Sequence, residues 1–536
     1  MSPVKYPLLA FLLLASVSFS ATNITGCTDI ASGGDYVLTN SLAGANVSVP
    51  EIYGLAVACV KISSSNVTLD CDGFSITNNG TSFAMGIGII PATNVTVRNC
   101  AGLSGYYEDL HAKGVNDSLF VNITAFNSSN DNLLFEASSR NNITDIVSFD
   151  SNNAAYGIEL NGGSNNNFLT RVTVFGNAQS GVAFISSSSN NVITNSTAFD
   201  NGQHGFFSYF NSNNNTFREL TAFSNTGSDG IRVELSSANA TVINNVLFSN
   251  AYGGLGVLSS SGVLVANNTA FTNAVVGFNI GASNNTVANN SAFSNGYAGF
   301  FYNFGSGSVF INDTSFGNNV SGFFVDGGTD AIFTNTTTFG NANYGYFIRS
   351  TNILLNSSNV SGNTYSGIEL QNASNVTIQD SLAQENGQFD LSVTPYVPED
   401  CDNLVLNLTG SGGRPINYTN ETVAWAGITP SELVLCDADG SSISSAIVQG
   451  SDTLFNNGVL VAETNGSVIN NTNSSNNYVG FLFVDGSGNT LANSVGSNNA
   501  FAGFQEFTTT TPAATVVNSV FAGNGWAIVQ DSSNSV

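Results

Sequence analysis

The side chains best suited to chemistry in this sequence are a histidine and a few carboxylates in the first third of the chain. His111 lies between Glu108 and Lys113, and Glu136 and Glu159 follow at intervals of roughly one repeat. An imidazole beside carboxylates can transfer protons. Of two carboxyl groups on either side of a glycosidic bond, one can protonate the leaving oxygen and the other can act as base or nucleophile. His111, Glu136 and Glu159 are therefore the candidate catalytic residues, provided that the fold brings them onto adjoining strands.

The other ionisable groups favour a protein without catalysis. Glu369 lies many coils from Glu159, and Arg232 neighbours only Glu234 on its own predicted strand. His204 precedes a glycine and reads as a corner residue. An enzyme would place two or three acidic groups close together, so the sparse charges favour a structural or binding role.

The sequence predicts no cofactor and no metal centre. Zinc is disfavoured because no C-x-x-C spacing occurs, and copper because His111, His204 and Met85 are dispersed. The candidates for calcium are Asp437 with Asp439 and the stretch 326–330, but neither has the repeated carboxylates of a calcium loop. Turn formation explains both stretches better.

A phenylalanine, a spacer and an asparagine recur along the chain and reveal the elements that must position these residues. The repeat occurs at Phe175, Phe199, Phe223, Phe248, Phe271, Phe293, Phe316 and Phe339. A period of about 20 to 50 residues is typical of solenoids, propellers and arrays. The chain is therefore built from stacked copies of one unit.

Each unit contains short strands. The stretch 284–303 alternates apolar and polar residues around turn residues, and helical spacing is absent from the repeats. WD40 blades are longer, and leucine-rich repeats are dominated by Leu. We predict an all-β fold, a right-handed parallel β-helix with three short strands in each coil of about 22–26 residues.

In such a fold equivalent residues stack about 4.8 Å apart. We expect Phe, Val and Ile columns, including the repeat phenylalanines, to fill the interior, and Asn and Gly to form corners and amide ladders. The predicted inward column is Ile158, Val182, Phe206, Ile231, Leu255, Phe278, Phe300, Phe323, Tyr346 and Ile368. The predicted outward column is His111, Leu134, Glu159, Ala183, Phe207, Arg232, Gly256, Asn279, Phe301, Phe324, Phe347 and Glu369.

The segment 66–73, with the sequence Asn-Val-Thr-Leu-Asp-Cys-Asp-Gly, and the Asn-Asn-x-[Ile/Val] coils resemble known repeats. They are similar to the parallel β-helix repeats of NosD-type and related carbohydrate-binding or sugar-hydrolase proteins, and especially to archaeal cell-surface β-helix proteins. The resemblance implies the fold for nearly all of the mature chain. It does not select an activity, because lyases, hydrolases, epimerases and structural proteins share this repeat.

Three outward rings on consecutive coils, Phe301, Phe324 and Phe347, form the candidate binding surface. Stacked aromatic rings could contact sugar faces or another protein. The alternative is that the rings only stabilise the coils. Phe has no polar group for a sugar, so a protein contact is at least as well supported.

Residues 1–20 read as a secretory signal peptide, with Lys5 followed by an apolar run; a membrane anchor is the alternative, although the run is short for a span. Six cysteines agree with an oxidising compartment. Sequence does not fix their connectivity, and the pairing we favour is Cys27–Cys59, Cys71–Cys100 and Cys401–Cys436. Numerous N-x-[Ser/Thr] sites include the candidate glycosylation sites Asn94, Asn195, Asn239, Asn312, Asn335 and Asn375.

The net charge of −26, with 10 basic against 36 acidic residues, excludes nucleic acids and polyanionic glycans as ligands. We expect glycans or another surface protein as partners, no membrane span in the mature chain, and end-to-end or lateral self-association as an option. The expected organisation is a cap with first coils at 21–100, regular coils at 101–388, an irregular insertion at 389–449 and C-terminal coils at 450–536.

Two functions remain at this stage. The first is an exported structural, adhesive or glycan- or protein-binding β-helix protein, secreted or held at the cell surface. The alternative is a polysaccharide-active enzyme, a lyase, hydrolase or epimerase, with an atypical site around His111, Glu136 and Glu159.

Overall fold

The computed structural model describes residues 21–52, 57–153, 155–507 and 514–531. The predicted signal peptide, residues 1–20, lies outside the described residues.

The described chain winds as a parallel β-helix, which confirms the predicted fold class. A representative coil has three short strands, Phe206–Tyr209, Thr216–Arg218 and Thr221–Phe223. Each strand pairs in parallel with the equivalent strand of the next coil; for example, Phe206 lies opposite Ile231. The three strands form three walls around a continuous core. We call the wall that contains Phe206–Tyr209 the front wall.

The front wall consists of one strand from each coil and carries the candidate site. Its strands are Thr28–Ile30, Val47–Ser48, Val57–Ile62, Ala84–Ile89, Glu108–Lys113, Leu133–Glu136, Ile158–Asn161, Val182–Phe184, Phe206–Tyr209, Ile231–Glu234, Gly253–Leu258, Val276–Gly281, Ala298–Asn303, Ser321–Asp326, Tyr344–Arg349, Ser366–Gln371 and Phe389–Thr394. Val47–Ser48 pairs antiparallel with Val57–Ile62 and is an excursion beside the first coils.

The other two walls are continuous long strands in the early coils and separate short strands later. Their strands are Thr22–Ile24, Gly34–Leu38, Leu42–Ala43, Val67–Asp70, Ser75–Thr77, Ala92–Thr93, Val95–Ser104, Val115–Asn116, Leu119–Phe126, Asn142–Phe149, Phe168–Phe175, Val192–Thr194, Thr197–Phe199, Thr216–Arg218, Thr221–Phe223, Thr241–Ile243, Val246–Phe248, Leu264–Ala266, Thr269–Phe271, Thr286–Ala288, Ser291–Phe293, Val309–Ile311, Thr314–Phe316, Ile332–Thr334, Thr337–Phe339, Leu354–Asn356, Asn359–Ser361, Thr377–Gln379, Leu382–Gln384 and Leu404–Leu406.

A second stack of coils completes the described chain. Its strands are Ile416–Thr419, Ala424–Ala426, Glu432–Cys436, Ser442–Ser444, Ile447–Val448, Val459–Ala462, Val468–Asn470, Asn473–Ser474, Val479–Val484, Asn489–Ala492, Ala502–Phe507, Ala514–Val517 and Trp526–Asp531. Two short 3-10 turns, Pro398–Cys401 and Ser411–Gly413, precede it. Within the expected insertion 389–449, Phe389–Thr394 still pairs in parallel with Ser366–Gln371.

The ten residues of the predicted inward column are all buried and in register, from Ile158 opposite Val182 to Tyr346 opposite Ile368. Within this column Phe278, Phe300 and Phe323 stack with ring centroids 4.8 Å apart. The hydrophobic core is therefore a ladder of matched apolar side chains running along the helix axis.

The expectation that the repeat phenylalanines fill the interior is wrong. Phe199, Phe223 and Phe248 lie only partly buried on an outer wall. Side chains alternate along a strand, and the middle residue of each of these three-residue strands points inward: Ala198, Ala222 and Leu247. Ten rings stack there with centroids 4.9–5.1 Å apart and planes within 10°: Phe126, Phe149, Phe175, Phe199, Phe223, Phe248, Phe271, Phe293, Phe316 and Phe339. Their faces cover one another, and ring edges face outward.

The asparagine of each repeat is the buried member of the motif. Asn225 donates from its backbone N–H and from Nδ2 to Oδ1 of Asn250 on the next coil, at 3.3 and 2.9 Å. The same bonds join ten buried rungs: Asn177, Asn201, Asn225, Asn250, Asn273, Asn295, Asn318, Asn341, Asn363 and Asn386. This ladder satisfies the polar groups at a corner that water cannot reach and confirms the expected amide stacking.

Three disulfides connect the pairs favoured from the sequence, Cys27–Cys59, Cys71–Cys100 and Cys401–Cys436. The first two tie the early coils together. The third joins the 3-10 turn Pro398–Cys401 to the second stack. The described part of the chain has no helix whose length and apolar character would let it cross a bilayer.

Candidate active site

The front wall places the predicted outward residues in one column. His111 lies opposite Leu134, which lies opposite Glu159 on the following coil. The register continues without a slip through Ala183, Phe207, Arg232, Gly256, Asn279, Phe301, Phe324, Phe347 and Glu369. The candidates His111 and Glu159 are thus two strand spacings apart, about 10 Å along the axis.

His111 is the centre of a buried ion-pair network. Its Nδ1 is 2.6 Å from Glu108 Oε2, and its Nε2 is 3.2 Å from Glu136 Oε2. The second oxygen of Glu136 accepts from Lys113 Nζ at 3.2 Å. Two of the three predicted candidates therefore touch, because Lys113 and Glu136 are paired in register on neighbouring strands.

These contacts set the charge of the imidazole. Burial opposes the charged ring, but hydrogen bonds to Glu108 and Glu136 outweigh it and raise the pKa of His111 to about 8. The hydrogen bond from His111, together with Lys113, lowers the pKa of Glu136. At neutral pH both ring nitrogens therefore carry protons and donate to carboxylates.

This network makes stability depend on pH. The pKa of His111 is raised from 6.5 to about 8 on folding, so its contribution is complete below pH 6.5 and is lost as the pH rises through about 8. We expect a loss of about 2 kcal/mol over that interval. Melting temperatures between pH 6 and 9 check this: His111→Gln should flatten the profile.

His204→Gln is the matched control, since burial and the charge of Arg232 lower the pKa of His204 to about 3 from 6.5, so its effect on stability grows as the pH falls below 6.5 and does not cause a loss as the pH rises through about 8. A wild-type slope that persists in His111→Gln and disappears in His204→Gln would contradict the assignment.

A second pair of carboxyl groups adjoins the network. Asp131 lies in the turn before the strand Leu133–Glu136 and shares a hydrogen bond with Glu159. Burial and then the charge of Glu159 raise the pKa of Asp131 well above its usual value. Burial also raises the pKa of Glu159, although the bond from Asp131 opposes this. The shared hydrogen bond thus raises the pKa of Asp131 and lowers that of Glu159, so it favours the proton on Asp131.

One side chain joins the two groups of acids. Asn130 Nδ2 donates to Glu108 Oε1 at 3.1 Å and to Asp131 Oδ2 at 3.3 Å. The backbone N–H of Tyr156 donates to Asp131 Oδ1 at 2.8 Å. All three predicted candidates, His111, Glu136 and Glu159, consequently belong to one cluster on three adjoining coils.

The sequence reading missed Asp131 and treated Glu108 only as a neighbour of His111. Both residues lie three positions before an outward residue, at the corner where the chain enters the front wall. A second column read at that offset would have shown Glu108, Asp131 and Asp229 as a further set of acids.

Aromatic side chains flank the carboxyl pair. Phe207, two strands from Glu159, packs against His204 and Tyr209, with ring centroids 4.7 and 5.1 Å apart. Tyr156 is half-buried beside Asp131, and burial followed by the charges of Glu159 and Asp131 raises its pKa. The acids thus adjoin a patch of aromatic side chains along the wall, in which Phe207 is itself buried.

Arg232 has more partners than the sequence indicated. Its guanidinium binds Glu234 Oε2 at 2.7 Å and also the fully buried Asp229 Oδ2 at 2.7 Å. Burial raises the pKa of Asp229 to about 6 against the effect of Arg232. His204 lies beside this group and accepts the Asp229 backbone N–H at 3.4 Å.

The candidate binding rings Phe301, Phe324 and Phe347 are adjacent, as their spacing requires. Phe324 and Phe347 stack face to face at 5.0 Å, and Phe301 is tilted by 57° to Phe324. Phe324 is buried, with Tyr297 packed against it at 5.3 Å. Little ring face is open to a ligand, and a binding role for this stripe stays a prediction.

The weaker candidates for a metal site, Asp437 with Asp439 and the stretch 326–330, form hydrogen bonds and an ion pair within the coils. Asp439 Oδ1 accepts from the backbone N–H and Nδ2 of Asn465, at 2.6 and 3.1 Å. Burial, then Asp439, raises the pKa of Asp437. Asp326 is bound by Arg349. Within the described ranges, no group of three or more His, Cys, Asp or Glu side chains is arranged to hold a metal ion.

The six candidate glycosylation sites, Asn94, Asn195, Asn239, Asn312, Asn335 and Asn375, are exposed corner residues. All have a left-handed backbone. Some take part in an outer amide ladder; Asn335 Nδ2 donates to Asn312 Oδ1 at 2.7 Å. Their modification stays a prediction.

Solved structures with similar folds include polysaccharide-modifying enzymes. The A-module of the mannuronan C-5 epimerase AlgE6 of Azotobacter vinelandii is 17% identical with a TM-score of 0.42, covering 70% of this chain and 91% of that one. The A-module of AlgE4 from the same organism is 16% identical with a TM-score of 0.41, covering 70% and 91%. The catalytic domain of a GH87 alpha-1,3-glucanase in complex with nigerose is 16% identical with a TM-score of 0.32, covering 69% and 64%.

No curated protein matches the chain. The family model described as "Right handed beta helix region" matches residues 86–247, 214–337 and 305–413, which together span more than half of the chain. The chain therefore belongs to the right-handed β-helix family.

Proposed function

We propose that this protein is an exported glycoside hydrolase that acts on neutral polysaccharide at the Asp131–Glu159 pair. The observation that carries the proposal is the pair of buried, hydrogen-bonded carboxyl groups Asp131 and Glu159, joined through Asn130 to the His111 network. Buried titratable groups with shifted pKa values and specific charge partners are candidates for functional sites. This is the enzymatic alternative from the sequence; the non-enzymatic reading expected dispersed acids.

The two carboxyl groups have complementary roles. Asp131 carries the proton that the leaving glycosidic oxygen needs, so it is the general acid. Glu159 is the base or nucleophile on the same bond; because an acid and a base on one glycosidic bond lie roughly 5 to 10 Å apart, the substrate would enter between the two carboxyl groups and break the hydrogen bond that they share. His111, held by Glu108 and Glu136, positions the acids and keeps a positive charge near them.

The charges of the front wall favour an uncharged substrate. Each of its cations faces at least one carboxylate: Lys61 with Glu51, His111 with Glu108, Lys113 with Glu136, Arg232 with Asp229, and Arg349 with Asp326. A uronate would need a cation to neutralise its carboxylate and the charge that develops during proton abstraction. These pairs leave an uncharged sugar as the better fit, and they disfavour a lyase or epimerase.

The epimerase modules and the glucanase act on polysaccharides according to their names, but the likeness is confined to the fold. The proposed activity therefore depends on the geometry of the Asp131–Glu159 pair. Export is supported by the three disulfides, which persist in oxidising compartments.

A substrate panel tests the function. Purified protein would be incubated with laminarin, dextran, galactomannan, alginate and polygalacturonate, and new reducing ends measured between pH 4 and 9. We expect release from at least one neutral polymer and none from the two uronates. Release from the uronates alone, or from no polymer, would contradict the proposal.

A further inference from the structure

Phe210 and Leu235 occupy an unusual position on adjacent coils, at the corner where the chain leaves the front wall. Both have a left-handed backbone, with φ of 53° and 50°. Their side chains are 53% and 42% exposed. Other coils have Ala137, Gly162, Ser186 and Ser259 at this corner, also with positive φ. Phe304, four coils from Phe210, also has a φ of 52° and is 85% exposed, but its coil lies six strand spacings from that of Glu159, against two for Phe210.

Small residues suit this corner for a physical reason. A left-handed backbone brings Cβ close to the following carbonyl, so glycine adopts it freely and bulky residues adopt it at a steric cost. An exposed phenylalanine recovers little of that cost through burial. Backbone strain that is not offset by stabilising contacts is a reason to look for a function.

The ring of Phe210 is connected to the carboxyl pair. It lies 6.3 Å from the ring of Tyr209, which lies 5.1 Å from Phe207. Phe207 is separated from Glu159 by the single strand that carries Ala183. Phe210 is thus about 10 Å from Glu159 along the axis, measured as two strand spacings.

We propose that Phe210, with Leu235 beside it, is an apolar lip that binds a sugar unit of the neutral polysaccharide held at Asp131 and Glu159. The inference rests on the proposed function and deepens it by naming a residue that sets affinity. Phe210 differs from the outer phenylalanine stack, where parallel rings 4.9–5.1 Å apart cover each other. Among the described residues, the ring that neighbours Phe210 is that of Tyr209, and the two planes are tilted by 38°. One face of the Phe210 ring is therefore open to the apolar face of a sugar.

A glycan is a better occupant than a protein because the exposed ring is continuous with the rings that lead to the acids. Phe210, Tyr209 and Phe207 lead from solvent toward the carboxyl pair. A chain of sugar rings bound at the acids would extend along this aromatic path. Leu235, the next residue of the lip, widens it by one coil.

Phe210→Gly tests the lip because glycine relieves the backbone strain while it removes the ring. We expect the melting temperature to stay the same or rise. Affinity electrophoresis in gels that contain laminarin, dextran or galactomannan should show about five- to tenfold weaker binding to the polymer that retards the wild type. Ala137→Gly makes the same backbone change on a coil without an aromatic residue there and should bind as the wild type does.

Unchanged binding in Phe210→Gly would overturn the lip, and so would a wild type that none of the three polymers retards. A fall in melting temperature with unchanged binding would assign Phe210 a packing role instead. These readouts do not involve turnover. Weakened binding in Phe210→Gly together with an inactive wild type would therefore keep the lip and reject the hydrolase, while active protein with unchanged binding would do the reverse.

Discussion

A Glu159→Gln variant is expected to lose about 10²- to 10⁴-fold of its turnover of neutral polysaccharide. Glutamine keeps the size and hydrogen-bonding ability of the side chain but cannot be ionised. It therefore cannot act as base or nucleophile, and it removes the charge that contributes to the raised pKa of Asp131. Reducing-end release at several substrate concentrations would separate the expected fall in kcat from a change in KM.

The pH profile gives an independent check of the same pair. Since burial raises both pKa values, the acidic limb should report ionisation of Glu159 and the alkaline limb deprotonation of Asp131. Asp131→Asn, which cannot donate an acidic proton, should be as impaired as Glu159→Gln. Equal loss in both is expected because the two groups act as a unit.

Glu369→Gln is the matched control for this experiment. Glu369 belongs to the same outward column and is also buried with a raised pKa, caused by burial. It lies beyond Phe347, far from the His111 network, and should keep wild-type turnover. If Glu369→Gln is as damaging as Glu159→Gln, the loss reflects disturbed packing of the wall and the assignment fails.

An Asp313→Asn variant is expected to be more stable than the wild type above pH 7. Asp313 replaces an asparagine rung: Oδ1 accepts from the backbone N–H and Nδ2 of Asn290, at 2.7 and 2.9 Å. Its Oδ2 is buried without a partner. The corresponding Nδ2 of Asn290 donates to the Val265 carbonyl at 3.0 Å. An asparagine at 313 would complete the ladder.

The sign of the pH effect follows from the raised pKa. Burial, opposed by the bonds from Asn290, raises the pKa of Asp313 to about 7 from 3.8. The folded state therefore holds this proton more tightly, and the stability it contributes below pH 3.8 is lost as the pH rises through about 7. At pH 8 the variant should gain up to about 4 kcal/mol relative to pH 4.

Denaturant or thermal unfolding of both proteins from pH 4 to 9 measures this difference. Asp330→Asn makes the same change at an exposed carboxylate on a neighbouring coil, where hydrogen bonds from Ser306 and Thr329 lower the pKa. It should not gain stability above pH 7. A stability difference between Asp313→Asn and the wild type that does not vary with pH would show that Asp313 is ionised in the fold throughout.

The periodicity of the sequence was sufficient to predict the coils and their register. The column from His111 to Glu369 has the predicted order because each coil repeats the same turn residues at nearly constant length. Repetition makes neighbouring coils pair residue by residue, so the spacing in sequence directly gives the spacing in space.

The sequence predicted less well whether a side chain faces the core or the outside of a wall. The repeat phenylalanines are apolar and were expected inside, yet the small alanines between Thr and Phe point inward. A ring can be protected from water by identical rings above and below it as well as by a core. Apolar character alone does not distinguish the two environments.

From the sequence alone the fold class, the coil length and the outward position of His111 and Glu159 could be determined, because they depend on local alternation and on a regular repeat. The clustering of Asp131 with Glu159, and the raised pKa values of His111 and Asp131, were decided only by the tertiary structure. Corner residues turn toward the wall at angles that sequence spacing does not encode, and a pKa depends on burial and on charges that adjoining coils supply.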